Sequence, residues 1–252
     1  MDEVEAKNSG IYTKDIRINR YISMAGLASR RKAEELILQG LVSINGKIVT
    51  NLSTKVNSKK DIVRIDRKVI HPQEEKVYII FNKPKDCITT TKDERDRTTV
   101  FNYVHTRERV FPIGRLDRNT TGVLLLTNDG DFAHHLMHPS FEVEKMYHAK
   151  IDKSLDSKDL KRLETGIIID RKKTSNAKIM LYPKTHNKEF VITIHEGRNR
   201  QVRKMLEVLG YDVEKLDRVS YAGLTTSGLK RGQWRFLSHK EILQIKNLIS
   251  KN

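Results

Sequence analysis

The sequence predicts an α+β protein in two parts, and three observations carry that reading. Within residues 14–71, two short amphipathic helical segments precede a hairpin signal. Further on, apolar runs of four to six residues bounded by turn residues read as strands, at 77–81, 110–113, 123–126 and 190–195. Between and after these runs lie helical-period segments, at 132–138, 199–209 and beyond Ser238. Charged residues make up 32% and hydrophobic residues 37%, a polar but globular composition, and 252 residues suffice for a sizeable core in one or two domains.

The first 13 residues read as a flexible leader. Ile18, Tyr21, Ile22 and Ala25 then repeat at helical spacing, and Gly26 closes that helix. Ser29 caps a second helix with Ala33, Leu36 and Ile37 inward and Gly40 at its end. Asn45-Gly46 is the turn of a hairpin over 41–49, and 62–65 is another strand. Residues 72–76 are a polar linker. The second part runs from 77 to 250. Asp129-Gly130 is turn chemistry, and Asp131 is the expected N-cap of the helix over 132–138. Residues 142–151 alternate, placing Val143, Lys145, Tyr147, Ala149 and Ile151 on one face. Asp156 or Ser157 starts a helix that ends at Gly166, and 167–188 is hairpin-like. Ser238 and Glu241 form a capping box for a last helix that uses Ile242, Ile245 and Ile249.

The charge balance narrows the partners. There are 48 Lys+Arg against 32 Asp+Glu, a formal +16. Such an excess draws polyanions by counterion release, and nucleic acid leads. Residues 1–70 hold 14 basic and 8 acidic side chains, so +6 falls there and +10 on the remainder. An anionic membrane would want a basic amphipathic helix or a lipid anchor, and neither is evident. The polar, acidic start is no signal peptide, no apolar run approaches spanning length, and the lone Cys87 excludes an intramolecular disulfide framework. A cytoplasmic protein fits all three.

Several residues exceed what their local structure requires. Between the strands at 110–113 and 123–126 lies a turn whose backbone needs Asn119 and Gly122 already meet. Asp117, flanked by Arg115 and Arg118, is surplus to it; a surface ion pair is the alternative reading. Arg30, Arg31 and Lys32 stand in the first turn of their helix, where each cation opposes the dipole at about 0.3–1 kcal/mol. A phosphate would compensate them. Lys145 and Tyr147 share an apolar face, as a functional pair or as a snorkelling lysine beside a core tyrosine. Arg203 sits at the border of its helix, able to turn toward a buried carboxylate or to cover the core with its stem. His134 and His138 have zinc-like i, i+4 spacing, but no carboxylate lies between them and no third ligand is evident, so no metal is expected.

Two resemblances sharpen this. Residues 17–22, 25–37 and 40–47, reading Arg17-Ile-Asn-Arg20-Tyr-Ile, Ala25-Gly-Leu-Ala-Ser-Arg30-Arg31-Lys32-Ala-Glu-Glu-Leu-Ile and Gly40-Leu-Val-Ser-Ile-Asn-Gly-Lys47, resemble the S4 RNA-binding domain. From 76 to about 240, three motifs resemble the catalytic domain of bacterial ribosomal pseudouridine synthases, in the branch with RsuA, RluB, RluE and RluF. They are Gly114-Arg115-Leu116-Asp117 with Thr121-Gly122 and 124–130; His138-Pro139 with Glu144-Lys145 and Tyr147; and 196–205 with Leu216-Asp217-Arg218-Val219.

The resemblance implies an S4 domain at 14–71 and, at 77–250, a catalytic domain built on a bent, mainly antiparallel sheet flanked by helices. It implies isomerisation of uridine to pseudouridine in ribosomal RNA, with Asp117 catalytic, Tyr147 stacking on the base and Arg203 pairing with Asp117. Arg115, Lys145, Arg198, Asn199 and Arg200 are expected to hold RNA beside the site, and Arg17, Arg20, Arg30, Arg31 and Lys32 on the S4 domain. No cofactor is expected, since nothing is oxidised or transferred. The wording at 119–122 favours large-subunit RNA, and a monomer is expected. The alternative is a non-catalytic S4-domain assembly factor. A retaining glycosidase would want a second carboxylate about 5 Å from the first, and Asp117 has no evident partner.

Overall fold

A computed structural model of the chain describes residues 15–73, 75–91 and 93–250. The leader expected at 1–13 lies outside them. The chain divides into two compact units, Met1–Lys76 and Val77–Asn252.

In the first unit, β1 (Ile16–Arg17) leads into α1 (Ile18–Met24), then α2 (Arg30–Leu38), β2 (Val42–Ile44), β3 (Lys47–Ile48), β4 (Lys55–Val56), β5 (Val63–Ile65) and β6 (Lys68–Ile70). The antiparallel sheet has the order β3-β2-β5-β6, and β4 pairs with β1. Ser29 caps α2, its side chain accepting from Lys32 N. Asn45 and Gly46 both take positive φ, the requirement of a tight hairpin turn. Ile18, Tyr21 and Ile22 of α1 meet Ala33 and Ile37 of α2 over Val42, Val56 and Val63. The face read from helical spacing is the one buried.

The second unit is built on one eight-stranded sheet. Its strands are β7 (Tyr78–Lys83), β8 (Phe111–Ile113), β9 (Thr121–Thr127), β10 (Lys145–Ile151), β13 (Lys178–Leu181), β14 (Glu189–Ile194), β15 (Val213–Tyr221) and β16 (Trp234–Phe236); a separate small ribbon pairs β11 (Ile168–Ile169) with β12 (Lys172–Lys173). The order is β13-β14-β10-β15-β9-β7-β16, with β8 also on β9. All pairs are antiparallel except β15 with β9. Helices α3 (Gly130–Met137), α4 (Ser157–Thr165), α5 (Gln201–Val208) and α6 (His239–Ser250) cover both faces. Alternation divides the core. Ile79, Phe81, Leu124 and Leu126 join Val202, Met205 and Leu206 of α5, whereas Tyr78, Ile80, Val123 and Leu125 join Phe132 and Leu136 of α3 and Ile245 of α6. With both faces covered, all six residues of β7 are buried.

Two helix starts differ from expectation. Asp129, not Asp131, caps α3: its carboxylate accepts from the backbone N–H of both Asp131 and Phe132. Asp131 stands in the first turn, where its charge suits the dipole. α5 begins at Gln201 rather than 199, because Arg200 takes a left-handed backbone at φ 52°. The capping box at Ser238 and Glu241 forms as read.

The parallel β9–β15 contact is tight. Gly122, at φ 102°, lies opposite Arg218, and a β-carbon there would run into the Arg218 carbonyl and the Asp217 carboxylate. Gly122→Ala is therefore expected to cost about 3 kcal/mol or more in a denaturant melt. Gly114→Ala, also left-handed at φ 72° but with open space around it, should cost only the backbone strain, roughly 1–2 kcal/mol.

Candidate active site

Asp117 lies in the loop joining β8 to β9, and other parts of the chain clamp that loop by its main chain. Lys83, at the end of β7 and 0% exposed, directs its amine at four carbonyl oxygens: Pro84 (3.0 Å), Asp117 (3.1 Å), Arg118 (3.3 Å) and Thr120 (2.9 Å). Thr89 bonds both the carbonyl and the N–H of Leu116 through its hydroxyl. Thr121 donates its hydroxyl to Asp217, which also pairs with Arg231 at 2.9 Å. Lys83 and Thr89 thus hold the loop's backbone, Thr121 anchors its far end through a side chain, and the Asp117 carboxylate is left free. Among the described residues, no side chain makes a hydrogen bond or ion pair to the Asp117 carboxylate within 4 Å. The surface-ion-pair reading belongs instead to Arg118, which meets Asp86 at 3.0 Å with both partners well exposed.

Asp117 borders two cavities. A narrow one of about 60 Å³ is lined by Asp117, Thr120, Tyr147, Arg198, Gln201 and Leu216, among others. A wider one of about 450 Å³ is lined by Asp117, Arg115 and Arg118 on one side and by Thr90, Asp93, Glu94, Arg95 and Arg97 on the other, with Arg97 paired to Asp93 at 2.6 Å. Of the polar stretch 89–99, which sequence left undecided between substrate contact and simple solvation, Thr89, Thr90, Asp93, Glu94, Arg95 and Arg97 line that cavity.

Tyr147 enters the narrow cavity from β10, where the burial pattern alternates from Lys145 to Ile151 as the sequence implied. It is 9% exposed, and Arg218 of β15 lies against it, with Nη1 3.4 Å from its hydroxyl. Arg203 of α5 donates Nη1 to the Val213 carbonyl at 3.1 Å. Burial, then the neighbouring Arg200, lower the pKa of Arg203, and Asp117 acts in the opposite sense. Asp117 thus acts on Arg203 through space without a direct salt bridge. Lys145 departs from expectation. It is 7% exposed, and its amine donates to the carbonyls of Val143 and His195, so it is turned from the surface where a phosphate would lie. The face of β10 that carries Tyr147 also carries Lys145, which explains the inward turn.

A family model described as RNA pseudouridylate synthase matches residues 77–208, and an S4 domain model matches 16–63. The chain belongs to the RNA pseudouridylate synthase family. It is 45% identical over 237 residues to the ribosomal large subunit pseudouridine synthase B of Bacillus subtilis, covering 92% of this chain and 96% of that protein. It is 35% identical to the dual-specificity RNA pseudouridine synthase RluF of Escherichia coli, over 94% of this chain and 80% of the relative. A solved pseudouridylate synthase structure superposes with TM-score 0.67 at 27% identity, covering 91% of this chain and 99% of that one.

The other basic residues of the synthase fall into two groups. Arg115, Asn199 and Arg200 are exposed at or beside the narrow cavity, although Arg200 also meets Glu207 at 2.9 Å. Arg198 is occupied: it bonds Glu196 and the carbonyls of Lys172 and Lys173, tying the β11–β12 ribbon to the cavity wall. In the S4 unit, Arg17, Arg30, Arg31 and Lys32 are exposed and Arg20 is half-buried; Lys32 also contacts Glu35 across one helical turn. His134 and His138 stack ring on ring at 5.1 Å. No helix among the described residues is long and apolar enough to cross a membrane.

Sequence reasoning missed Lys83, Thr120 and Arg218 as parts of the site. Lys83 did carry a signal, a cation ending an otherwise apolar strand. Burial takes its pKa to about 8, with Cys87 and Asp117 opposing, and burial followed by Arg218 takes Lys145 to about 8 as well. Each lysine therefore binds its proton less tightly folded than unfolded. Their contribution to stability is unfavourable below pH 8 and improves as pH rises from about 8 toward 10.5. Lys145→Met should flatten the pH dependence of stability over that window, measured as the difference between urea melts at pH 7.5 and 10. An unchanged slope would contradict the assignment.

Proposed function

We infer that this synthase isomerises a uridine of ribosomal RNA, with Asp117 as its catalytic carboxylate, Tyr147 as the face on which the base rests, and Arg203 as the electrostatic partner of Asp117. One observation carries the assignment: an unpaired carboxylate stands on a loop clamped by its backbone and opens onto the cavity that Tyr147 lines. The reaction breaks N1–C1′, turns the uracil and forms C5–C1′. It oxidises nothing and transfers nothing, so the chain's own groups suffice.

The base must leave its stack, and flipping costs a few kcal/mol that backbone contacts repay. Arg115 and Arg200 stand exposed beside the narrow cavity, where the flipped base would enter. The wider cavity offers Arg95 and Arg115 to the phosphates that flank a flipped nucleotide, whereas Arg97 and Arg118 are paired with Asp93 and Asp86. The unit at 14–71 serves as the RNA-binding S4 domain, joined by 72–76 to the catalytic domain at 77–250. Large-subunit RNA is favoured, since the Bacillus subtilis relative is named for that subunit. The synthase acts as a monomer in the cytoplasm.

The test is pseudouridine mapping of rRNA in cells lacking the protein, complemented with wild type or Asp117→Asn. Wild type should restore a missing modification and Asp117→Asn should not; restoration by both would remove Asp117 from catalysis. Changing Arg30, Arg31 and Lys32 to Glu should weaken RNA binding and lower the salt slope by about 0.7–0.9 for each phosphate no longer neutralised. Unchanged affinity would remove these residues from the interface.

A further inference from the structure

Arg218 is the most heavily buried arginine of the site, at 2% exposure, and it makes no ion pair among the described residues. Its Nε donates to the Val123 carbonyl at 2.7 Å, and its Nη1 lies 3.4 Å from the Tyr147 hydroxyl. Its Nη2 is buried without any hydrogen-bond partner. Among the described residues no carboxylate lies within 4 Å of it. The Lys145 amine adds to the local positive charge, since both cations approach the Tyr221 ring, Arg218 Cζ at 4.7 Å and Lys145 Nζ at 5.3 Å from its centroid. Ring faces compensate such cations by about 2 kcal/mol, less than several kcal/mol of desolvation.

The register shows where this uncompensated charge is placed. Arg218 pairs with Tyr147 on one side and with Gly122 on the other, so it lies behind the tyrosine and beside the strand that continues the Asp117 loop. Among the described residues, the other buried side-chain polar atom without a partner is the hydroxyl of Thr120, whose residue lines the same narrow cavity as Asp117 and Tyr147. One orphaned group thus lines the cavity and the other lies against Tyr147, which lines it. A local rule broken twice at one place marks a site arranged for something other than stability.

We propose that Arg218 is a positioning residue for the isomerisation: it fixes the Tyr147 phenol against the base and places desolvated positive charge behind that ring, where the detached uracil is negative. This rests on the functional reading above and deepens it. When N1–C1′ breaks, the electron pair stays with the base, spread over N1 and the carbonyl oxygens. The pair is consumed as C5 bonds to C1′; C5 then releases its proton and N1 gains one, leaving an isomer. An unneutralised cation in a low-dielectric site stabilises that transient anion without reorganising. A carboxylate salt bridge to Arg218 would cancel the effect, which accounts for its absence near the guanidinium.

The test uses the full-length synthase labelled with ¹³C at tyrosine, the Tyr147 signal being assigned by its loss in Tyr147→Phe. Single-turnover pseudouridine formation is followed in parallel on a large-subunit rRNA transcript. Arg218→Met should shift the Tyr147 signal and lower the rate about 100-fold, with RNA affinity within about twofold. Arg218→Lys keeps the charge and should recover about tenfold of that loss. An unshifted Tyr147 signal in both variants, equal rate losses in both, or a fall in RNA affinity matching the fall in rate would each overturn the proposal. If Arg218→Met fails to fold, Arg218→Lys decides: a shifted signal supports the proposal and an unshifted one overturns it. A wild-type protein that converts no uridine, with the signal still shifting, would sink the substrate reading while leaving the arginine–tyrosine pair standing.

Discussion

Asp117→Asn should lower single-turnover pseudouridine formation by about 10³-fold or more, corresponding to roughly 4 kcal/mol of transition-state stabilisation. Stability should change little, because no folded-state hydrogen bond or ion pair within 4 Å depends on that carboxylate among the described residues. The substitution keeps size and polarity and removes only charge and basicity. RNA affinity should stay within about twofold, since the phosphate contacts are supplied by other residues. Loss of activity with retained folding and binding separates a catalytic carboxylate from a structural one. A variant that also melts early would place Asp117 in the loop's architecture instead.

Lys83→Met should be the most damaging change to stability, at about 3–5 kcal/mol, read from a urea melt. The amine holds four main-chain carbonyls of and around the Asp117 loop, and an apolar replacement leaves them buried with fewer donors. Activity should fall further than the unfolded fraction explains, because the loop loses its backbone clamp while the carboxylate itself survives. Lys83→Arg should not rescue, since a planar fork cannot address carbonyls arranged around a single nitrogen at a fully buried position. Stability within 1 kcal/mol of wild type would show that Thr89 and Thr121 hold the loop unaided.

The sequence made helix faces, the Asn-Gly hairpin and the Ser238 capping box legible because these depend on neighbours within four residues. The alternation of β10 likewise placed Tyr147 inward. It placed Lys145 inward too, against the RNA contact that the resemblance implied, and the strand's geometry prevailed. The clamp on Asp117 was not legible. Lys83 reaches carbonyls 34–37 positions away, and main-chain oxygens carry no sequence signal at all. Arg218 was visible only as part of a motif. Its meaning depends on β15 lying parallel to β9, a pairing between segments about 95 residues apart. The start of α5 was misplaced because Arg200 adopts a backbone conformation that favours glycine or asparagine, and residue type gave no warning.

The Thr121–Asp217 and Arg218–Val123 bonds span 96 and 95 residues. Closing so long a loop is slow, because entropy is lost before the contact stabilises anything. The carboxylate loop can be gripped by Lys83 early, from within the first third of its own unit. Its seating against the tyrosine and the buried guanidinium awaits the arrival of β15. During synthesis, the unit therefore gains shape before it gains chemistry, and a nascent chain that has not yet delivered β15 holds the aspartate without the surroundings that would let it act.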